Sequence, residues 1–175
     1  MTRRLIQFDG SNFYNKVRLI APKIHLTAFH YSSLASFLTK TKSHKIIYYV
    51  GEIKKYSGNK KSERLYANQQ SLFFNLRKQQ VKIRLGYLLM SDGVYHEKGV
   101  DVQIAADMIY GALKNEYDTC YLISSDTDLL PAIKIVRHER KKVVYVGFEN
   151  YVSRALLKNC SSYQILKKGD ILKFA

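Results

Sequence analysis

Apolar runs alternate along this chain with longer stretches in which apolar residues recur every three or four positions. The runs at 3–8, 44–50 and 118–124 are continuous and rich in β-branched and aromatic residues, as strands buried on both faces are. Residues 142–146 read the same way. Residues 82–90 carry Ile83, Leu85, Tyr87 and Leu89 at period two and predict a further strand. Ser91-Asp92-Gly93 reads as a turn from which 94–97 returns as a hairpin arm, and 163–166 reads as a last edge strand. Helical spacing predicts helices over 13–20, 32–40, 62–79, 129–140 and 152–157. The clearest stripe is Ile104, Ala105, Met108, Ile109, Ala112 and Leu113. Local signals mark boundaries. Asp9-Gly10-Ser11-Asn12 reads as a turn, Pro22 closes the first helix, and Ser62 reads as the cap of the third. The closing KGDILKF reads as a tail that docks back.

Strands that alternate with helices predict an α/β fold with a mostly parallel sheet and right-handed crossovers. A chain of 175 residues suits one domain spanning 1–175, long enough to bury a full core. It shows no internal repeat, low-complexity run or linker.

Charge changes the picture. The 29 Lys and Arg against 14 Asp and Glu leave +15, with a pI near 9.8. Such a balance favours a polyanionic partner, nucleic acid ahead of an anionic membrane surface. Residues 40–84 hold twelve Lys or Arg against two Glu, a net of +10 and two-thirds of the total. Most charge runs are simply solvated faces. Here, however, Tyr48, Tyr49, Tyr56 and Tyr66 are interleaved with the lysines. Basic side chains grip phosphates, and aromatic rings give platforms for unpaired bases. Tyr48 or Tyr49 is expected in the core. Lys54, Lys55 and Tyr56, in a polar loop over 51–61, are the candidates for contact with a substrate.

The first ten residues hold too short an apolar run for a signal-peptide core, and no window approaches the ~18 apolar residues of a membrane span. Cys120 and Cys160 make no disulfide framework, and Cys120 is expected as a reduced core thiol. The expectation is a cytoplasmic protein without a membrane partner.

With only 14 acids in the chain, their placement carries information. Asp9, Asp126 and Asp128 all follow apolar strands, where open α/β sheets place their chemistry. Asp101 opens the clearest helix, where the helix dipole favours a carboxylate. Carboxylates brought together repel unless protons or a cation neutralise them. At neutral pH the fitting cation is hard and oxygen-liganded, Mg²⁺ or Mn²⁺. Each acid also has a plainer reading: Asp9 as a turn residue, Asp126 or Asp128 as a helix cap. Asp107 lies about 240° further round an ideal helix from Asp101. It reads as an outer-shell residue or a plain surface acid. The five histidines are scattered and show no zinc spacing.

FDGSNFY at 8–14, KGVDVQIAADMI at 98–109 and LISSDTDLLPAI at 122–133, in that order, resemble the NYN domain, specifically its LabA-like branch within the PIN-like nucleases. The resemblance covers about 3–166. It implies a three-layer α/β/α PIN-like (Rossmannoid) domain with a central mostly parallel sheet. It also implies metal-dependent cleavage of RNA at an aspartate cluster. Carried over by motif, Asp9, Asp101, Asp126 and Asp128 are the catalytic and metal-binding acids. Asn12, Ser124, Ser125 and Lys98 stand beside them as substrate-binding groups. Ser125 replaces the glycine usual in the third motif and Leu129 a common phenylalanine, and neither change removes a ligand.

The leading expectation is therefore a Mg²⁺- or Mn²⁺-dependent ribonuclease acting on single-stranded or loop regions of RNA. The alternative is a catalytically weak or inactive RNA-binding or partner-binding NYN module; a homodimer is left open. A phosphatase of the haloacid dehalogenase type fits poorly, because its D-x-D follows the first strand and here D-T-D follows a late one. Neither G-x-G-x-x-G nor a P-loop is present.

Overall fold

The computed structural model of the chain describes residues 2–55, 58–91 and 94–175, with the backbone alone at 88–91 and 94–97. Its elements in chain order are β1 Arg4–Asp9, α1 Gly10–Ile20, α2 Tyr31–Thr39, β2 Lys45–Glu52 and α3 Lys60–Lys78. β3 Lys82–Ser91, β4 Val94–Lys98, α4 Val100–Leu113 and β5 Thr119–Ile123 follow. A 3-10 turn Thr127–Leu129 leads into α5 Leu130–His138. Then come β6 Lys142–Phe148, α6 Arg154–Asn159, β7 Ser162–Leu166 and α7 Lys168–Leu172.

The described strands form one sheet in the order β4-β3-β2-β1-β5-β6-β7. Every neighbouring pair is parallel except β3 with β4, which run antiparallel. The chain winds outward from β1 through β2 and β3, then returns to the other side of β1 with β5. The order thus reverses between β1 and β5, and open α/β sheets leave a crevice at such a point, beyond the carboxyl ends of the strands.

Alternation along the strands sends side chains into two cores. Ile6, Phe8, Ile46, Tyr48 and Ile123 meet α1, α2, α3 and α7 through Phe13, Leu34, Phe73 and Ile171. Leu5, Ile47, Tyr49 and Leu122 meet α4 and α5 on the other face through Ile104, Met108, Ile133 and Val136. The first core is aromatic. Phe8 packs edge-on to Phe13 and Tyr31 with ring centroids 5.3 and 5.6 Å away, and it stacks on Tyr48 at 6.0 Å. Each fully buried side chain of this size contributes about 1.5–3 kcal/mol. The layers are helix, sheet, helix, the α/β/α architecture expected.

Several local readings shift. Asp9-Gly10-Ser11-Asn12 is not a free turn: α1 starts at Gly10, directly after the strand, because the Asp9 side chain caps it. Asn59, not Ser62, caps α3, accepting from the Ser62 N–H at 3.0 Å. Ser62 lies inside the helix and donates its hydroxyl to the Lys54 carbonyl. The helix expected over 129–140 begins as the 3-10 turn and continues as Leu130–His138, since Pro131 sits in its first turn. Leu113 ends the α4 stripe 60% exposed. Leu85 and Tyr87 keep the period-two side of β3 yet lie exposed, because the strand runs on past the packed core. Tyr48 and Tyr49 are both buried, facing opposite layers. The C-terminal tail is a helix whose Ile171 enters the core, and the Phe174 carbonyl accepts from the His30 N–H at 2.8 Å. Asp92, Gly93 and Tyr56, which the turn and loop readings used, lie outside the described residues.

Candidate active site

The site begins with two adjacent strand ends. Phe8 of β1 pairs with Ile123 of β5, so the next residues, Asp9 and Ser124, leave the sheet side by side. Both are buried, Asp9 at 4% and Ser124 at 0% exposure. The Ser124 hydroxyl donates to Asp9 Oδ2 at 2.7 Å and accepts from the Asp126 N–H at 3.1 Å. Asp9 Oδ1 accepts from the Asn12 N–H at 3.0 Å. The Asn12 side-chain oxygen in turn accepts from the Ser125 N–H at 3.2 Å. Asp126 Oδ1 accepts from the Asp128 N–H at 2.8 Å. Two loops more than a hundred residues apart in sequence are thereby laced through one hydroxyl and one amide.

Helix ends organise the same edge. Asp9 caps α1, Asp126 caps the 3-10 turn that leads into α5, and Asp101 occupies the first turn of α4. The positive ends of helices favour carboxylates and other anions. The capping reading of Asp126 is therefore correct, Asp9 is a helix cap rather than the turn residue expected, and both roles coexist with the convergence of the two loops. α4 starts at this edge because Gly99 takes a left-handed backbone, φ 81°, that turns the chain from β4 into the helix. α4 then runs back along the sheet, where Ile104 lies close enough for its carbonyl to accept from the Gln7 amide at 3.3 Å. Gly10 is required by space. A Cβ there would stand 2.5 Å from the Tyr49 carbonyl and 2.6 Å from the Tyr48 ring.

Asp9, Asn12, Ser124, Ser125, Asp126 and Asp128 are thus brought into one hydrogen-bonded group. Asp101 and Asp128 are exposed at the rim. Lys98 ends β4 just ahead of Gly99 and is exposed. Lys54 and Lys55 follow the carboxyl end of β2 and are exposed there. Asp107 belongs elsewhere: it pairs with Arg84 Nε at 3.3 Å and accepts from the Tyr49 hydroxyl at 3.0 Å. Burial pushes the Tyr49 phenol far up, so it stays a neutral donor to that carboxylate. Asp107 is a structural acid, neither in the site's inner circle nor a bare surface charge.

Two residues escape sequence reasoning. Gln7, fully buried in β1, donates to the Tyr49 hydroxyl at 2.7 Å and accepts from the Cys120 thiol at 3.3 Å. Its signal was present: a polar residue at a core position of a buried strand. Tyr145 reaches from β6 beneath the serine loop. Its hydroxyl lies 3.1 Å from Ser125 Oγ and accepts from the Ser153 N–H at 3.0 Å. Nothing in a run such as VVYVGF distinguishes that tyrosine from a core one. Cys120 is a buried free thiol whose pKa burial raises, as a reduced core cysteine requires.

The donors at this edge are all oxygens of carboxylate, hydroxyl and amide groups, the set that suits a hard divalent cation. Among the described residues no three His, Cys, Asp or Glu side chains converge tightly enough to hold a metal ion by themselves. A closed cage is not needed for Mg²⁺, which is usually held by one or two carboxylates with waters and substrate phosphate. At this edge the Ser124 hydroxyl bonds the Asp9 carboxylate and the Asp126 backbone N–H, so two acids are held on neighbouring loops. No helix among the described residues is long and apolar enough to cross a membrane.

The NYN domain family model matches residues 5–167, nearly the whole chain. The chain belongs to the NYN domain family. NYN domains are PIN-like nuclease domains, so this protein has a nuclease-type fold. A crystal structure of a protein of unknown function from Vibrio parahaemolyticus superposes with a TM-score of 0.69. It is 20% identical, covering 94% of this chain and 93% of that one, and shares the fold. A zinc-bound T5 5′-exonuclease aligns more remotely, with a TM-score of 0.42 and 16% identity over 89% of this chain and 60% of that one. An uncharacterized protein of Methanocaldococcus jannaschii is 35% identical over 71 residues, 41% of this chain. The NYN chain spans 29% of the length of that relative.

Proposed function

We propose that this NYN domain is a ribonuclease dependent on Mg²⁺ or Mn²⁺, hydrolysing phosphodiester bonds at the edge where β1 and β5 end. One observation carries the reading: the Ser124 hydroxyl joins the loops of Asp9 and Asp126 at the point where the strand order reverses. Asp9 and Asp126 would hold the cation, with Asp101 and Asp128 at the rim. When bound, the ion supplies Lewis acidity to water and to the phosphodiester. The chain's own groups do the rest. Asn12 and the Ser125 N–H fix the two loops against each other, so the carboxylates keep one orientation. Asp126 or Asp128 accepts the proton of the attacking water. Lys54, Lys55, Lys98 and the basic α3 hold the strand through its phosphates, as the concentration of positive charge in 40–84 favours. Tyr56 adds a ring for an unpaired base.

The test is cleavage of end-labelled single-stranded RNA with Mn²⁺, Mg²⁺ or EDTA, beside an Asp126→Asn/Asp128→Asn variant. Metal-dependent cleavage that vanishes in the variant is expected. Cleavage that survives in the variant removes this mechanism. Salt-sensitive binding without cleavage assigns the domain to RNA binding alone.

A further inference from the structure

The opposite edge of the sheet carries a second concentration of charge, far from the acids. β1, β2 and β3 begin with Arg4, Lys45 and Lys82, and these starts lie beside one another in the sheet. Arg84 follows two residues into β3, so Lys82 and Arg84 point to the same face. That face of β3 is basic where a core strand would be apolar. Lys45, Lys82 and Arg84, which share the face of Leu5 and Ile47, line a cleft of about 170 Å³ walled on its other side by the second half of α4, whereas alternation along β1 sends the Arg4 side chain to the opposite face with Ile6. Asp107 and Glu116 also line it. Glu116 pairs with Lys45 at 3.1 Å and Asp107 with Arg84 at 3.3 Å. Lys82 forms no side-chain ion pair among the described residues. With three cations against two acids, the cleft keeps a net of one positive charge, that of Lys82. Arg84 Nε is shut off from solvent and, despite its neighbour Asp107, makes no properly aligned hydrogen bond. Tyr110 stands at the mouth, 58% exposed, with Lys114 Nζ 5.7 Å from its ring centroid. Arg4 is five residues from Asp9, so this cleft lies about 17 Å along β1 from the acidic edge, at the ~3.3 Å rise of a strand residue.

We propose that this cleft is an anion site that seats the phosphate of a nucleotide unit, with its base against Tyr110. Lys45, Lys82 and Arg84 on adjacent strands supply phosphate recognition, and the Arg84 guanidinium suits phosphate geometry in particular. A half-exposed ring beside them supplies the stacking face that a base uses. The volume holds a phosphate and its near sugar atoms, leaving the base at the mouth. The chemistry is shared by a free nucleoside monophosphate and by a nucleotide of an RNA chain. The site stands independently of the nuclease reading, because none of its residues lies at the acidic edge.

The test follows backbone amide shifts by NMR in EDTA, where no metal-dependent cleavage proceeds. Adenosine monophosphate, inorganic phosphate and a short 5′-phosphorylated RNA are the probes. Saturable shifts are expected at Lys82, Arg84 and Gly111 with the nucleotide and with phosphate. Lys45→Gln/Lys82→Gln should weaken both at least fivefold. Tyr110→Ala should weaken the nucleotide and spare phosphate. Asp126→Asn should change neither. RNA that competes with the nucleotide supports the site and assigns the RNA chain as its source. Nucleotide binding that RNA does not displace supports it and assigns the free nucleotide. Wild-type nucleotide affinity in Lys45→Gln/Lys82→Gln, or shifts confined to Asp9 and Ser124, would overturn it. All substituted side chains are at least partly exposed, and a melting curve for each variant confirms the fold.

Discussion

Ser124 Oγ stands between two acids: it donates to Asp9 Oδ2 at 2.7 Å and accepts from the Asp126 N–H at 3.1 Å. Ser124→Ala deletes both bonds and leaves a buried carboxylate oxygen with one donor fewer. Such a loss costs about 1–3 kcal/mol. Urea denaturation should show a lowered midpoint with an unchanged slope. An unchanged midpoint would mean that the hydroxyl contributes nothing to the junction.

Asp126 has two separable duties. As the cap of the 3-10 turn it needs only a side-chain oxygen, and asparagine caps as well as aspartate. Asp126→Asn should therefore hold stability within about 0.5 kcal/mol. Asp126→Ala should lose about 1 kcal/mol, the usual worth of a cap. If the nuclease reading holds, both variants lose metal-dependent turnover alike. A stability loss in Asp126→Asn equal to that in Asp126→Ala would show that the charge itself, and not the cap, supports the fold.

Gly10→Ala tests how tightly the strand-to-helix junction is packed. The added methyl would meet the Tyr49 carbonyl and the Tyr48 ring inside van der Waals contact. Overpacking of this kind costs about 1–3 kcal/mol. The calorimetric melting temperature should fall, and amide shifts should move at Asp9 and Asn12. Wild-type melting would mean that the backbone yields there freely.

The acid limb of the stability curve should depend on Asp118. Its carboxylate accepts from both the side chain and the backbone N–H of Arg3, and these bonds, with the nearby Lys141 charge, hold its pKa down at about 2. The ordinary value is 3.8. A folded-state pKa below the unfolded one gives stability that is complete above the unfolded value and is lost as pH falls through the folded one. Asp118→Asn should flatten stability between pH 4 and pH 2 and leave its shape near neutrality unchanged. A variant whose acid limb matches wild type would assign that limb to other carboxylates.

The meeting of the Asp9 and Asp126 loops was legible in the sequence because both follow short apolar strands, and β1 and β5 lie side by side. Layer order was legible for a similar reason: buried strands and amphipathic helices carry different periods. What escaped was decided by three-dimensional neighbours. Asn59 outcompeted Ser62 for the α3 cap by one turn of geometry, and both residues are good caps by type. Gln7 and Tyr145 earn their partners only once β1, β5 and β6 lie side by side. The basic cleft was hidden in the sequence, because Lys45 and Lys82 stand 37 residues apart and come together only through the pairing of β2 with β3.

The reversal of strand order between β1 and β5 also sets a timetable. The bond from Ser124 to Asp9 spans 115 residues, whereas the first three strands and their helices end by Ser91, about half-way along the chain. On a ribosome that half emerges first, carrying most of the positive charge. Asp9 meets its hydroxyl partner only after β5 has cleared the exit and slotted in beside β1. The nascent chain is therefore attractive to polyanions well before its acidic edge exists.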